Sequence, residues 1–309
     1  IYRALPASLP YMNLLILNLG QAVVAVFLAS EFLKQDTKND TVEVIYARSM
    51  TNAEYILGKT MGILLVFTIL NILVLAIGVG FSFLSGDASL GVLEYFYYPL
   101  LISVPTLIYI LGLSFFLMII TKNQAITFII LLGYIAVSIF YLDKQFFQLF
   151  DFIAYQVPMM KSTVGGFADF NETLLHRGIY FFIGLSLIFF TITKLDRLPQ
   201  SKRLRYLPII ISIILLFAGL GSAYKYIINK KDVIAFKKNM ISLNNKYVSY
   251  PAVIVDSCDI HLVHQNESIT VVADLSVSNP HNTFPDTLIF SLNPSLNITK
   301  LEFDGQSVI

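Results

Sequence analysis

Charge is what this chain has least of. Lys, Arg, Asp and Glu together make up 13% of its 309 residues, against about a quarter in ordinary soluble domains. Six runs contain none of the four: residues 4–30, 60–86, 95–121, 123–142, 178–193 and 206–224. Each is dense in Leu, Ile, Val and Phe, and a hydrocarbon core about 30 Å thick takes about twenty apolar residues to cross. The absence of charge over such lengths excludes a soluble globular protein and predicts a multi-pass membrane protein. Because the first run is followed by a polar segment and five further runs, it is not read as a cleaved signal peptide.

Other absences narrow the chemistry. The single cysteine, Cys258, cannot form an internal disulfide and reads as a small apolar filler. A net charge of +1 argues against a nucleic-acid partner, which requires a basic excess clustered on one face. No His-Glu-x-x-His sequence is present, and His261 and His264, three apart on an expected strand, face opposite sides. No nucleophile has a neighbouring base. Catalytic residues, metal ligands and cofactor-binding residues are therefore not assigned, and whether the protein is an enzyme is left open. Gly58-Lys59-Thr60 ends like a phosphate-binding loop, but Ala53 stands where that motif needs its first glycine. Gly58 and Gly62 form a small-xxx-small pair suited to close helix packing.

What is there is a set of membrane helices. Unpaired backbone groups cost several kcal/mol each in hydrocarbon, so the spans are helical. They are expected at 11–30, 60–84, 97–120, 124–142, 178–193 and 207–227, with a bend at Pro105 and Pro208 in a first turn. Asn13, Asn18, Gln21, Asn71, Tyr109 and Ser114 lie within spans, where uncharged polar groups join helices or line a substrate path. His176 and Arg177 sit at a span end and read as interfacial anchors.

With the 31–59 connection on the cytoplasmic side, that side collects Lys34, Lys38, Arg48, Lys59, Lys122, Lys194, Arg197, Lys202, Arg203 and Arg205. The other side holds Lys144, Lys161 and Arg177, and the C-terminal segment lies outside. The basic residues Lys225, Lys230, Lys231, Lys237 and Lys238 then lie outside too; long translocated segments respond weakly to such charges. Within the 31–59 connection, Thr51 and Glu54 match a capping box opening a helix that continues into the next span. On the opposite side, the apolar stretch from Phe146 to Tyr155 predicts a re-entrant or interfacial helix ended by Pro158.

Beyond Lys225 the pattern changes. Residues 230–246 are polar and basic, and Ile269, Val271, Ala273, Leu275 and Val277 then alternate with Thr270, Asp274, Ser276 and Ser278, as a half-buried strand requires. Leu288, Phe290 and Leu292 repeat the alternation. Asn279-Pro280 and Asn293-Pro294 mark turns, and Asp304-Gly305 a tight hairpin turn. Four or five strands are expected. The fold class is thus an all-α polytopic membrane protein of about six transmembrane helices followed by a small all-β extracytoplasmic segment. The expected domains are a transmembrane domain (1–227), a linker (228–252) and a β-rich domain (253–309). A start at Ile1 and an end just after a turn signal suggest a piece excised from a longer polypeptide.

The span ending in Glu31, the connection with Lys34-Gln35-Asp36, and Arg48-Ser49-Met50-Thr51 followed by Glu54-Tyr55-Ile56-Leu57-Gly58-Lys59 together resemble the permease subunits of type 2 ABC exporters. In that family six helices surround the path, and the segment between the second and third contacts the ATP-hydrolysing subunit. The resemblance implies an ATP-binding cassette ATPase and a second permease copy or half as partners, besides the lipid bilayer. It implies the bacterial plasma membrane as location, and Glu31, Lys34, Asp36, Arg48, Glu54 and Lys59 as the ATPase-coupling surface. The first family helix would precede Ile1, and the span at 207–227 is additional. Asp259-Ile260-His261-Leu262, the strand through Val277-Ser278-Asn279, and residues 286–293 resemble the start of the β-rich N-terminal domain of zinc aminopeptidases. That implies a bacterial fusion of permease and aminopeptidase-like domain, with a membrane anchor for such a peptidase as the alternative function.

Overall fold

The computed structural model describes residues 8–38, 51–84, 92–142, 145–157, 159, 169–195, 206–248, 250, 253–265, 268–280, 289–290, 292–293 and 296–307. Two compact units divide the chain, Ile1–Asp232 and Val233–Ile309.

Helices build the first unit. They are α1 (Ser8–Lys38), α2 (Asn52–Leu84), α3 (Val92–Tyr98), α4 (Val104–Thr121), α5 (Gln124–Val137), α6 (Phe170–Lys194) and α7 (Leu207–Tyr247). A π-helical turn, Pro99–Ser103, fuses α3 to α4, and a second, Ser138–Leu142, extends α5. Six segments are long and apolar enough to cross a membrane: Leu9–Glu31, Asn52–Phe81, Leu93–Thr121, Gln124–Leu142, Phe170–Lys194 and Leu207–Tyr247. Each contains most of one charge-free run. Several helix ends lie beyond the expected spans; α1, for instance, runs on to Lys38. Helix α6 begins at Phe170 rather than near residue 178, because Asp169 accepts the Glu172 N–H at 2.9 Å and caps an additional polar turn. Helix α7 continues through the basic stretch to Tyr247.

The core forms where α4 and α6 cross. A Cβ at Gly184 would come within 2.6 Å of the Tyr109 backbone, and one at Gly112 would overlap the Gly184 carbonyl. Backbones this close exclude any side chain, so glycine at both positions sets the crossing. Helix α1 packs against α2, α4 and α5, and Ala22, Ala25, Val26 and Ala29 form its buried stripe. Burial within the bundle is 67% for the span through α3 and α4 but 11% for α7, so α7 is peripheral. It is held by Ser186 and Ser212, whose hydroxyls each donate to the other's carbonyl at 2.8 and 2.9 Å. Gly219 provides a second seat, since a Cβ there would come within 2.7 Å of Ile183. Gly58 and Gly62, by contrast, face open space, so close packing at that pair is not seen within the chain.

Strands β1 (Ile254–Gln265) and β2 (Ser268–Ser278) form an antiparallel pair in the second unit, with an irregularity between Val255 and Ser257. The register sets Cys258 opposite Leu275, Ile260 opposite Ala273 and Leu262 opposite Val271, which gathers the apolar residues on one face as the alternation requires. His261 pairs with Val272 and His264 with Ile269, so the two imidazoles are on opposite faces. The half-burial expected of this sheet is not seen among the described residues: every residue of β1 is exposed, and from Ile269 to Ser278 on β2 all but the partly covered Val277 are exposed. Strands β3 (Glu302–Phe303) and β4 (Gln306–Ser307) close on Asp304 and Gly305, whose φ values of 48° and 78° make the tight hairpin turn. The Asn293 turn is present as a 3.0 Å bond from the Leu296 N–H to the Asn293 carbonyl. Phe290 and Leu292 lie in no strand, and Leu288 is outside the described residues.

Candidate functional site

Two polar constructions stand out in the helical unit, one at each end of the bundle. The first gathers the end of α1, the start of α2, the α4–α5 turn and the end of α6. Thr51 and Glu54 form the expected capping box: the Thr51 N–H donates to Glu54 Oε2 at 2.7 Å, and the Glu54 N–H to Thr51 Oγ1 at 3.2 Å. Asn52, buried next to it, donates from Nδ2 to the Leu195 carbonyl at 2.9 Å and the Ile192 carbonyl at 3.4 Å. These are orphan carbonyls at the C-terminal end of α6, so a side chain at the start of α2 fastens the end of α6. Glu31 accepts a hydrogen bond from Gln124 Nε2 at 2.5 Å, which ties α1 to the start of α5. Asn123 caps α5, its Oδ1 accepting from the Ala125 and Ile126 N–H groups.

The residues expected to form a coupling surface are only partly brought together. Glu31 is half-buried, and Glu54 is exposed with its carboxylate turned back on Thr51. Lys59 lies over the Tyr55 ring, 4.5 Å from its centroid. Five residues separate Glu54 from Lys59, about 140° around a helix, so they occupy different faces of α2. Lys34 and Asp36 lie on the last turns of α1, and Arg48 lies outside the described residues. Gly58-Lys59-Thr60 is helical, with the Thr60 hydroxyl donating to the Ile56 carbonyl at 2.8 Å.

The second construction is at the opposite end, around Arg177. It is 2% exposed and lies about 10 Å along α6 from its start. Nε donates to the Leu101 carbonyl at 2.7 Å and Nη1 to the Phe152 carbonyl at 2.9 Å, while Nη2 reaches the Ile102 carbonyl at 3.0 Å and Thr106 Oγ1 at 2.7 Å. The reason is local to α4: Pro105 has no N–H to return to the carbonyl four residues back, that of Leu101. The guanidinium supplies the missing donor. The expectation that His176 and Arg177 are interfacial anchors is therefore corrected. Both are buried, and His176 contacts the Gln148 carbonyl through Nε2 at 3.0 Å.

Arg177 belongs to a ring of donors around residues 145–157. The expectation of a helix there is also corrected: a 3-10 turn at Phe146–Gln148 leads into irregular backbone. Phe146, Phe147 and Gln148 have φ values of 51°, 60° and 64°, a left-handed run that no continuous helix accommodates. Its carbonyls are taken by side chains instead. Tyr226 donates to Phe147, Tyr180 to Leu149, Ser138 to Phe150, Thr106 and Arg177 to Phe152, Asn18 to Ile153 and Tyr11 to Val157. Irregular backbone buried in a bundle requires this satisfaction. Asp151 sits in the segment, accepting the Tyr155 and Gln156 N–H groups at 3.0 and 2.7 Å. Burial raises its carboxyl above the ordinary value, against the lowering pull of those N–H groups and of Arg177. Below it stack Phe152 and Tyr134, with ring centroids 5.3 Å apart, joined by Tyr109 and Tyr180.

A smaller network continues inward. Gln21 and Asn71 exchange amide hydrogen bonds at 3.2 and 3.4 Å, and Ser103 completes the group. Asn18, Gln21 and Asn71 thus join helices, and Tyr109 and Tyr134 share a 3.0 Å hydroxyl contact.

Fold and sites together define a helical domain with six helices long and apolar enough to cross a membrane, its bundle pinned by polar side chains at both ends, and a small β unit after it in the chain. No family model, curated protein or solved structure gives a significant match to this chain.

Proposed function

We propose that this chain is the membrane-spanning permease component of an ABC-type exporter, driven by a separate ATP-hydrolysing subunit. The ATPase docks on the α1–α2 connection and the helix ends beside it, through Glu31, Lys34, Asp36, Arg48, Glu54 and Lys59, on the cytoplasmic side of the bacterial plasma membrane. The C-terminal β unit is extracytoplasmic, and substrate leaves between two permease copies or halves.

One observation carries the reading: the start of α2 is fastened to the end of α6 through Asn52, and the end of α1 to the start of α5 through Glu31 and Gln124. Force applied to the connection before Thr51 is thereby delivered to four helices rather than one. The capping box at Thr51 makes that entry stiff. A partner shifts a conformational equilibrium only by binding two states unequally. Moving it from 1:99 to 99:1 takes about 5.5 kcal/mol of differential affinity. The charged residues of the connection and its flanking helix ends supply the contacts for it.

Affinity purification of the full-length protein from its native membrane tests the proposal. An ATP-binding cassette ATPase is expected with the wild type and is expected to be lost from a Lys34→Glu, Asp36→Lys, Arg48→Glu variant that still elutes as a folded protein. A wild type purified with its partners but without an ATPase, or a charge-reversed variant retaining full ATPase association, would contradict it.

A further inference from the structure

Between its two points of attachment, α7 stands off from α6. The serine pair and Gly219 hold it at one end, and at the other Lys230 pairs with Glu172 while Tyr226 bonds the Phe147 carbonyl. A groove of about 560 Å³ lies between these attachments. Its two ends differ in chemistry. Asn171, Lys225 and Asn229 line the end nearest the start of α6, and Gly178, Phe182 and Ser222 line the other. On α6 these positions fall on one face at helical spacing, and on α7 the spacing of 222, 225 and 229 does the same. From Asn171 to Phe182 the groove spans about 16 Å of helix axis. That is about half of the 30 Å hydrocarbon core, the depth of one leaflet.

Charge is also unbalanced along the groove. Lys230 is neutralised by Glu172 at the rim, whereas Lys225 is exposed and pairs with no carboxylate among the described residues. The floor is open because residue 178 has no side chain: a Cβ there would meet Phe182 at 3.6 Å and Ser222 at 3.9 Å, ordinary contacts that leave room for one.

We propose that this groove holds one anionic phospholipid of the leaflet facing the α5–α6 connection, with its phosphate headgroup on Lys225 and an acyl chain along Gly178 and Phe182. The three features that select it are an ammonium at the polar end with no carboxylate partner among the described residues, amides beside it that donate to phosphate oxygens, and a floor from Leu174 to Phe182, about 12 Å long, that is apolar apart from Ser222. A soluble anion would use only the first two. The inference does not rest on the transport reading, since it needs only that α6 and α7 cross a bilayer.

The test measures binding of phosphatidylglycerol, phosphatidylcholine of identical chains, and soluble glycerol phosphate to the purified full chain in detergent by native mass spectrometry. Wild type is expected to prefer phosphatidylglycerol about fivefold, the worth of one basic residue near an anionic lipid, and to bind glycerol phosphate far more weakly. Lys225→Gln, at an exposed position, is expected to bring phosphatidylglycerol down to the phosphatidylcholine level. Gly178→Leu, which fills the floor, is expected to weaken both lipids. Equal binding of the two lipids to wild type, an unchanged preference in Lys225→Gln, or glycerol phosphate binding as tightly as the lipid would each overturn the proposal. Lys225→Gln decides the matter alone if Gly178→Leu does not fold.

Discussion

Arg177 is the residue on which one end of the bundle turns. A guanidinium within a membrane helix costs at least about 2.5 kcal/mol when left to the lipid. Here four of its five N–H donors have acceptors, and the Leu101 acceptor exists because Pro105 cannot serve it. Arg177→Met takes the side-chain donor from the Leu101 carbonyl and leaves the single Thr106 hydroxyl to serve the Ile102 and Phe152 carbonyls, and is expected to lower stability in detergent by about 3 kcal/mol or more. Pro105→Ala returns an N–H to Leu101, so Arg177→Met should cost about 1 kcal/mol less in that background. Strict additivity in this thermal-melt cycle would refute the donor-replacement account. Asp151 supplies a pH test. Because burial raises its folded pKa above the ordinary value of 3.8, the folded state binds the proton more tightly than the unfolded chain does. The stability this contributes is complete below that value and is lost as pH rises through the folded pKa. Melting temperatures should therefore fall with rising pH across that window, and Asp151→Asn should flatten the slope; an unchanged profile in the variant would contradict the assignment.

At the scale of elements, the crossing of α4 and α6 and the irregular segment at 145–157 do what hydropathy cannot announce. Gly184→Val puts methyl groups into the Tyr109 backbone and should cost about 3 kcal/mol or prevent folding. Gly58→Ala, whose Cβ meets nothing, should be neutral or stabilising by up to about 1 kcal/mol. Equal losses in the two variants, measured as folded yield, would sink the crossing assignment. The spans, the Thr51–Glu54 box and the Asp304–Gly305 turn were legible because each is written in neighbouring residues: a charge-free run, an i to i+3 pair, a dipeptide. The Phe146–Gln148 backbone was not, since its left-handed run is held by donors from Tyr226, His176 and Tyr180 far along the chain. Arg177 was misplaced for a related reason. A charged residue ends a hydropathy run, so the polar first turns of α6 read as a loop until the cap at Asp169 places them in the helix. On β2 the alternation was legible, but whether another layer covers its apolar face is a tertiary fact that period alone does not carry.

At the scale of the whole molecule, the proposed function makes sidedness the first requirement. The proposed topology, with all six apolar helices crossing, requires the β unit to lie on the side opposite the connection ahead of Thr51. Cys258, the single cysteine and exposed on β1, is a native reporter. A membrane-impermeant maleimide should label it in spheroplasts without permeabilisation, and labelling only after permeabilisation would invert the topology. The central claim is that work enters through the polar connection from a neighbouring ATPase. Its most direct measurement is photo-crosslinking in native membranes from a probe residue placed at Asp36 or Arg48, with the captured protein identified by mass spectrometry. The account predicts an ATP-binding cassette ATPase, captured in a yield that changes when ATP is added; capture of lipid alone, or of a protein with no nucleotide-binding cassette, would contradict it.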